Sequence, residues 1–294
     1  MHPAAALRQL LARPGMVEAP GVYDVFSAKI AERLGFEALY LGSSLVAASS
    51  YGLPDIGIVK AGEFIEHARR VVAAVDVPII LDLDDAGGTP QQIMRTVASA
   101  EQVGVAAFHI EDLETSRGKH FVDSDDSGGS GGYDFGRETL MPIEKAAANI
   151  RAAVDARTNP DTVIVGRTDA AAVTGVDDAI ERANAYADAG ADMVKFAHLE
   201  LADLERVAAS VTRPILYYNL KTPPEDREIA LRAGVKIRFH PFATLFAAME
   251  GVVAQLTELR DTGSMPGLDT IPSYTVAQDF VDAPEWTARA RKYT

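Results

Sequence analysis

The sequence predicts an α/β fold, a (β/α)₈ barrel of the TIM type, and three observations predict it. Eight short apolar or β-branched runs alternate with longer amphipathic stretches, with no clear break. Small-residue turns recur just before strands: Leu34-Gly35-Phe36, Val103-Gly104-Val105, Ala189-Gly190-Ala191 and Ala233-Gly234-Val235. Each reads as a helix C-cap glycine followed by a strand. The length of 294 residues suits one large domain, since such barrels typically need ~250 residues. An open doubly wound sheet fits less well, because no GxGxxG follows the first strand.

The expected strands are 20–24, 38–42, 78–82, 106–111, 162–167, 192–197, 214–218 and 235–240. Helices are expected near 25–34, 60–75, 90–103, 143–157, 176–189, 201–210, 224–233 and 243–262. In 176–189, Ala179, Ile180, Ala183, Tyr186 and Ala187 share one stripe at helical spacing, and Asp177 and Asp178 suit a helix N-terminus. Two regions break the alternation. Residues 113–141, rich in Ser, Gly and Asp, form a long insertion after strand four, read as a lid in which Arg117, Lys119 and His120 close over an anion. The other reading of it is a solvated loop. Residues 263–294 form a C-terminal arm whose Phe280, Val281 and Trp286 need a surface, which a neighbouring subunit would provide. The barrel domain is thus 1–262, carrying the lid insertion, followed by the arm.

Composition removes several function classes. Apolar residues make up 48% of the chain, ample for a core. A formal charge of −14 argues against nucleic acid and against an anionic membrane surface. The absence of cysteine excludes disulfides, thiolate zinc sites and any cysteine nucleophile or acid. The opening MHPAAALRQLLARPG has too short an apolar run for a signal peptide, and no apolar stretch is long enough to span a membrane. A cytoplasmic location is expected.

The chemistry is concentrated at strand C-termini, which feed a barrel's active site. Strand three ends in LDLDDAGG, whose Asp82 and Asp84 share a strand face and point into one small volume. Like charges that close raise each other's pKa or recruit a cation, and hard oxygen ligands suit Mg²⁺, or Mn²⁺. An isolated DxD is also an ordinary acidic turn. The other ends weigh against that reading: Tyr23-Asp24, Ser43-Ser44, Glu111-Asp112, Arg167-Thr168-Asp169, His198, Tyr218-Asn219 and His240. Four of the eight ends carry carboxylates and one an arginine. This predicts an acidic cage for a divalent cation, which would chelate a small 2-oxo or 2-hydroxy acid and stabilise its enolate. Arg167 would grip the substrate carboxylate; its bland alternative is a buried partner of Asp169 or Glu111. Ser43 and Ser44 would hold the anionic end, or be turn residues. His198 and His240 are more often structural, and His109, mid-strand, reads as a core histidine.

In order and spacing these motifs resemble the isocitrate lyase / phosphoenolpyruvate mutase superfamily. The resemblance runs from about residue 5 to 262, through GVYDVFSAKIAERLGFEALYLGSSLVAASSYGLPDIGIV (21–59), LDLDDAGG, HIED and VGRTDA (166–171). It implies a Mg²⁺-dependent barrel enzyme, usually a homotetramer, with a terminal helix exchanged between subunits, making or breaking a C–C or C–P bond beside a 2-oxo or 2-hydroxy acid. It also implies metal binding by Asp82 and Asp84, with Glu111 completing the metal set, support through water from Asp55 and Glu111, substrate contacts from Ser43, Ser44 and Arg167, and a nearby Asn219; Tyr23 and His198, at strand ends, are read from position as further substrate-binding residues. This chain departs from the pattern. The KRCGH-like loop of the isocitrate and methylisocitrate lyases reads LETSRGKHF, without cysteine. The glycine two after the second aspartate is Ala86, and the strand-six glutamate gives way to Ala197 and His198. Isocitrate cleavage is therefore not expected. His120, Lys119 or His240 would replace the missing acid. The expectation is a C–C lyase or decarboxylase; the alternatives are a C–P mutase or hydrolase and a catalytically silent barrel.

Overall fold

The computed structural model describes residues 1–114, 121–122, 132–133, 139–264 and 271–293. Eight parallel strands close into a barrel in chain order: β1 (Val17–Val22), β2 (Leu39–Leu41), β3 (Ile79–Asp82), β4 (Ala107–Glu111), β5 (Val163–Thr168), β6 (Met193–Phe196), β7 (Ile215–Tyr217) and β8 (Ile237–His240), with β8 pairing back onto β1. Each lies within three residues of its expected start, which confirms the fold class.

The helices are α1 (Pro3–Ala12), α2 (Val25–Arg33), the short α3 (Ser43–Val46), α4 (Ala61–Val72), α5 (Pro90–Val103), α6 (Ile143–Ala156), α7 (Val176–Asp188), α8 (Leu204–Ser210), α9 (Asp226–Arg232), α10 (Ala243–Thr262), α11 (Ile271–Phe280) and α12 (Ala283–Ala290). Local chemistry sets their ends. Asp24, expected in a strand end, caps α2 in a reciprocal box with Ser27. Thr89 caps α5, and Gly104 ends it in the left-handed conformation. The alternation expectation missed α1, whose buried Leu7 packs with the lumen residues.

Strand parity governs everything that follows. Alternate residues of each strand enter the lumen. Val17, Ala19, Tyr40, Ile80, Ala107, Val163, Val165, Met193, Leu216, Ile237 and Phe239 fill it as one cluster. The opposite parity packs on the surrounding helices, as with Leu39, Leu41, Ile79, Leu81, Phe108 and Ile110.

The insertion leaves and rejoins at the C-terminal end of β4. Leu113 pairs with Leu140, the Glu114 amide donates to the Thr139 carbonyl at 2.8 Å, and the Met141 amide to the Asp112 carbonyl at 2.7 Å. Phe121–Val122 and Gly132–Tyr133 pair as a short antiparallel ribbon. Arg117, Lys119 and His120, expected to close the site, lie outside the described residues. The arm packs on α2 of its own chain: Phe280 meets Phe26 edge-on at 6.3 Å, and Asp282 pairs with Lys29 and Arg33. α10 is unlike the other long helices. It has no buried residue, and Phe246, Met249, Val252, Val253 and Leu256 are exposed along it.

Candidate active site

Parity carries Asp82 of β3, Glu111 of β4 and Arg167 of β5 to the top of the lumen. Asp84 joins them just past β3. Ligand oxygens of Asp82, Asp84 and Glu111 lie within 4.8 Å of one another, and all three residues are buried. The turn that places them is unusual. Asp84 (φ 50°) and Ala86 (φ 53°) both adopt left-handed backbone before Gly87 and Gly88. Aspartate tolerates that region; alanine there costs about 1–2 kcal/mol. The loop keeps a glycine's geometry although the residue is Ala86. The Asp84 amide donates to Asp82 Oδ1 at 3.1 Å, and the Glu111 amide to the Asp84 carbonyl at 2.9 Å, tying the two strand ends together.

Arg167 is clasped by carboxylates. Its Nε and Nη2 donate to Asp169 at 2.8 Å each, its Nη1 lies 2.7 Å from Glu111 Oε2 and 3.7 Å from Asp82 Oδ2. Burial disfavours its charge, but Asp169, Glu111 and Asp82 together hold its pKa well above the ordinary arginine value. Asp169 is pushed up by burial and pulled down further by Arg167, so its net shift is downward. The arrangement is the buried-partner alternative for Arg167, with Asp169 as the principal partner. Behind it, Asp112 accepts from Thr168 Oγ1 (2.7 Å), the Asp169 amide (3.0 Å), Tyr186 Oη (2.7 Å) and Arg182 Nη1 (3.3 Å), which fixes the strand-five turn.

Three carboxylates thus surround one guanidinium, and Asp84 adds a fourth to the acidic cluster. Buried charge of one sign is costly unless paired. An oxygen-only donor set with this excess charge fits a hard divalent cation, whose charge would balance it. Asp82, Asp84 and Glu111 are the residues placed to hold it.

Asp82, Arg167 and Asp169 open into a cavity of about 870 Å³, walled also by Ser44, Asp55, His198, Tyr218, Asn219 and Phe239. Several expected residues are placed differently. Tyr23 and Ser43 are not on its wall. Asn219 touches the cavity, but its amide donates to Asp226 and its carbonyl accepts from the Lys221 amide, each at 3.0 Å. His240 is a cavity-rim residue whose Nε2 meets Glu18 Oε2 at 2.9 Å. It has the parity of Arg238, which also binds Glu18, and lies outside the lumen. The geometry does not bring it to the acidic cluster.

Two lumen residues were missed by the motif reading, Tyr40 and Lys195, while Tyr218, read at the end of strand seven, does line the cavity. Tyr40 Oη donates to Asp82 Oδ2 at 3.0 Å. Lys195 Nζ lies 3.0 Å from His109 Nε2 and 3.4 Å from Tyr40 Oη, on the cavity floor. Burial and the nearby Arg167 lower its pKa to about 7. The signal was present: a lysine at an inward position of an otherwise apolar strand.

A family model described as phosphoenolpyruvate phosphomutase matches residues 7–260. The chain belongs to the phosphoenolpyruvate mutase / isocitrate lyase superfamily. Among superfamily relatives, it is 33% identical over 289 residues to 2,3-dimethylmalate lyase of Eubacterium barkeri, covering 96% of this chain and 94% of that protein. It is 35% identical over 265 residues to oxaloacetate decarboxylase of Rhodopseudomonas palustris (strain BisB5), covering 89% and 86% respectively. Among solved superfamily structures, oxaloacetate acetylhydrolase with the inhibitor 3,3-difluorooxalacetate aligns with a TM-score of 0.84 and 29% identity over 98% of this chain and 97% of that one. These relatives act on carbon–carbon bonds, and the enzyme class expected from sequence agrees with them. Among the described residues, no helix is long and apolar enough to cross a membrane.

Proposed function

We propose that this superfamily member is a Mg²⁺-dependent carbon–carbon lyase that decarboxylates or cleaves a small 2-oxo dicarboxylate of the oxaloacetate type. The single observation that carries this reading is the buried Asp82–Asp84–Glu111 cluster. Its excess negative charge calls for a divalent ion, with Mn²⁺ an acceptable substitute. When bound, that ion supplies Lewis-acid stabilisation for negative charge developing on the substrate's 2-oxo oxygen.

The chain's own residues do the rest. Asp82 is fixed by Tyr40 Oη and by His109, whose Nδ1 lies 3.4 Å from Asp82 Oδ1. Arg167 orients Glu111 and Asp82, and the outer hydrogens of its guanidinium remain for a substrate carboxylate. Ser44 and Asp55 on the wall are the proposed contacts for the distal end. The absence of cysteine favours decarboxylation, where carbon dioxide departs as a neutral molecule. The proton then has to reach only the remaining enolate carbon.

Proton NMR of the protein with oxaloacetate and Mg²⁺ tests this. Pyruvate formation that stops on chelation supports the reading. A new phosphorus resonance from phosphonopyruvate would favour the carbon–phosphorus alternative. No turnover of either compound, with no Mg²⁺-dependent rise in melting temperature, would leave a silent barrel.

The assembly is part of the proposal. The exposed stripe Phe246, Met249, Val253 and Leu256 on α10 has the spacing of a helix–helix seam. A second copy of the chain would cover it, within a homodimer or homotetramer that exchanges this end of the chain. Light scattering of Val253→Glu against the unaltered chain checks it: dissociation is expected, and an unchanged mass would remove the assembly from the account.

A further inference from the structure

The turn after β7 is held in place by a buried carboxylate. Asn219 Nδ2 donates to Asp226 Oδ1 at 3.0 Å, and Asn219 Oδ1 accepts from the Lys221 amide at 3.0 Å. Those partners fix which end of the Asn219 amide is which. Asp226 is 1% exposed and also accepts from Tyr217 Oη at 3.0 Å and Arg238 Nη1 at 2.7 Å. Its amide donates to the Pro223 carbonyl at 3.0 Å, which closes the turn. Within the turn, Thr222 takes left-handed backbone, φ 36°. A β-branched residue there is strained, and such strain persists where the surroundings over-determine it. The Asp226 network supplies that constraint.

The anchored turn presents an apolar face. Leu220 and Thr222 line the cavity, joined by Phe239 and Leu245 from the neighbouring β8 side. Leu220 is 51% exposed, an apolar side chain left to water at the mouth of a charged site. Cations near this face are engaged elsewhere: His240 meets Glu18, and Lys221 reaches Glu200 at 3.3 Å. Among the described residues, Arg167 and Lys195 are the arginine and lysine on the cavity wall, and both enter at the floor from β5 and β6. An anion placed against Leu220 would lose water and gain no cation. An alkyl group there would remove apolar surface from water on both sides. A cavity of about 870 Å³ also has room beyond a four-carbon acid.

We infer that the Asp226-anchored turn is the specificity-determining element of the site, and that Leu220 selects an alkyl substituent on C3 of a 2-oxo dicarboxylate over a charged one. This rests on the reading that the cavity takes such acids with their C1–C2 end at the floor. C3 then faces the mouth, between Ser44, a proposed contact of the distal end, and the β7 turn on the opposite side. Leu220 makes the contact. Asp226 is a positioning residue, acting through Asn219.

A substrate series tests the inference on the full chain with Mg²⁺. It comprises oxaloacetate, its 3-methyl, 3-ethyl and 3-propyl derivatives, and 3-carboxymethyl-oxaloacetate, which resembles the propyl compound in size and adds a charge. Carbon dioxide release, corrected for the metal-only rate, gives kcat/KM. It should rise about fourfold per methylene from methyl to propyl, as one buried CH₂ dictates. The carboxymethyl acid should fall roughly tenfold or more below propyl. Leu220→Arg, at an exposed position, should reverse that order. Asn219→Ala should bring the propyl-to-carboxymethyl ratio towards one, a readout that lost stability alone does not move. A flat series, or a preference of the unaltered chain for the charged substituent, overturns the inference and leaves the lyase reading intact. An order unchanged in Leu220→Arg overturns the contact, and a ratio unchanged in Asn219→Ala overturns the positioning role. No turnover of any member overturns both the inference and the reading on which it rests.

Discussion

The two halves of the barrel mouth are built on opposite electrostatic plans. β3 to β5 present Asp82, Glu111 and Asp169 around one guanidinium, with Asp84 beside Asp82 and Glu111, held by backbone amides and by the Asp112 network. β6 to β8 present Lys195, His198, Tyr218 and Phe239, a mainly aromatic wall with one unpaired-looking amine whose hydrogens go to a histidine and a tyrosine. The difference separates a region built to hold a cation from one built to handle substrate and protons. A surplus of buried carboxylate has essentially one use, to hold a cation. An aromatic wall with a nitrogen base can be rewritten without disturbing that cation, so substrate and proton handling are expected to differ on this side. The departure noted in the sequence at strand six, Ala197 and His198, falls here.

The largest test breaks the acidic half. Asp84→Asn keeps a side chain that tolerates the left-handed backbone and removes one charge. Turnover should fall roughly 10³-fold, about 4 kcal/mol of barrier. Without metal, the melting temperature should hold or rise, because one like-charge repulsion is gone. The rise that Mg²⁺ gives the unaltered chain should disappear. Steady-state rates and thermal melts with and without Mg²⁺ read all three.

Arg167→Met comes next. It leaves buried carboxylates without their cation, a loss of about 3–5 kcal/mol of stability. Added Mg²⁺ should recover more stability in this variant than in the unaltered chain, since the ion substitutes for the missing charge. Urea unfolding at fixed metal concentrations measures it, and equal metal responses would show that Arg167 and the cation do not share the same carboxylates.

The amine half should respond to pH. In the unfolded chain Lys195 keeps its proton to about pH 10.5, whereas folding lowers its pKa to about 7. Between those values the unfolded state binds the extra proton, so this group makes stability rise with pH. Its penalty is full below pH 7. Lys195→Met should therefore be more stable at pH 7 by up to about 4 kcal/mol, and its stability should rise less between pH 7 and 9.5. Denaturation at three pH values decides this; parallel curves would mean that the amine is not desolvated as described.

The smallest effect concerns the loop of the acidic half. Ala86→Gly relieves a left-handed alanine but gives up a buried methyl, so a gain of no more than about 1 kcal/mol is expected. A loss of stability would show that the methyl's packing outweighs the backbone strain.

Much of this was legible in the sequence. Strand positions followed from apolar runs bounded by glycine turns, and the acidic cluster followed from carboxylates at successive strand ends. Lys195 was not read because it sits mid-strand between Val194 and Phe196, where attention to strand ends overlooks it. Parity would have found it: Met193 and Lys195 share the lumen face, as Ile237 and Phe239 do. The same rule places His240 with Arg238 on the other face, where Glu18 engages it. The partner of Arg167 depended on side-chain reach across β4 and β5, which spacing alone leaves open. The exposure of α10 was invisible in a pattern that looks like any barrel helix.

The central claim is that Asp82, Asp84 and Glu111 together hold one divalent ion. Titration of Mn²⁺ into the full chain, followed by calorimetry and by the loss of free-ion paramagnetic resonance, tests it most directly. One site per chain is predicted, competed by Mg²⁺ and lost in Asp82→Asn and in Glu111→Gln, both still folded by circular dichroism. No saturable binding to the unaltered chain, or binding unchanged in both variants, would contradict the account.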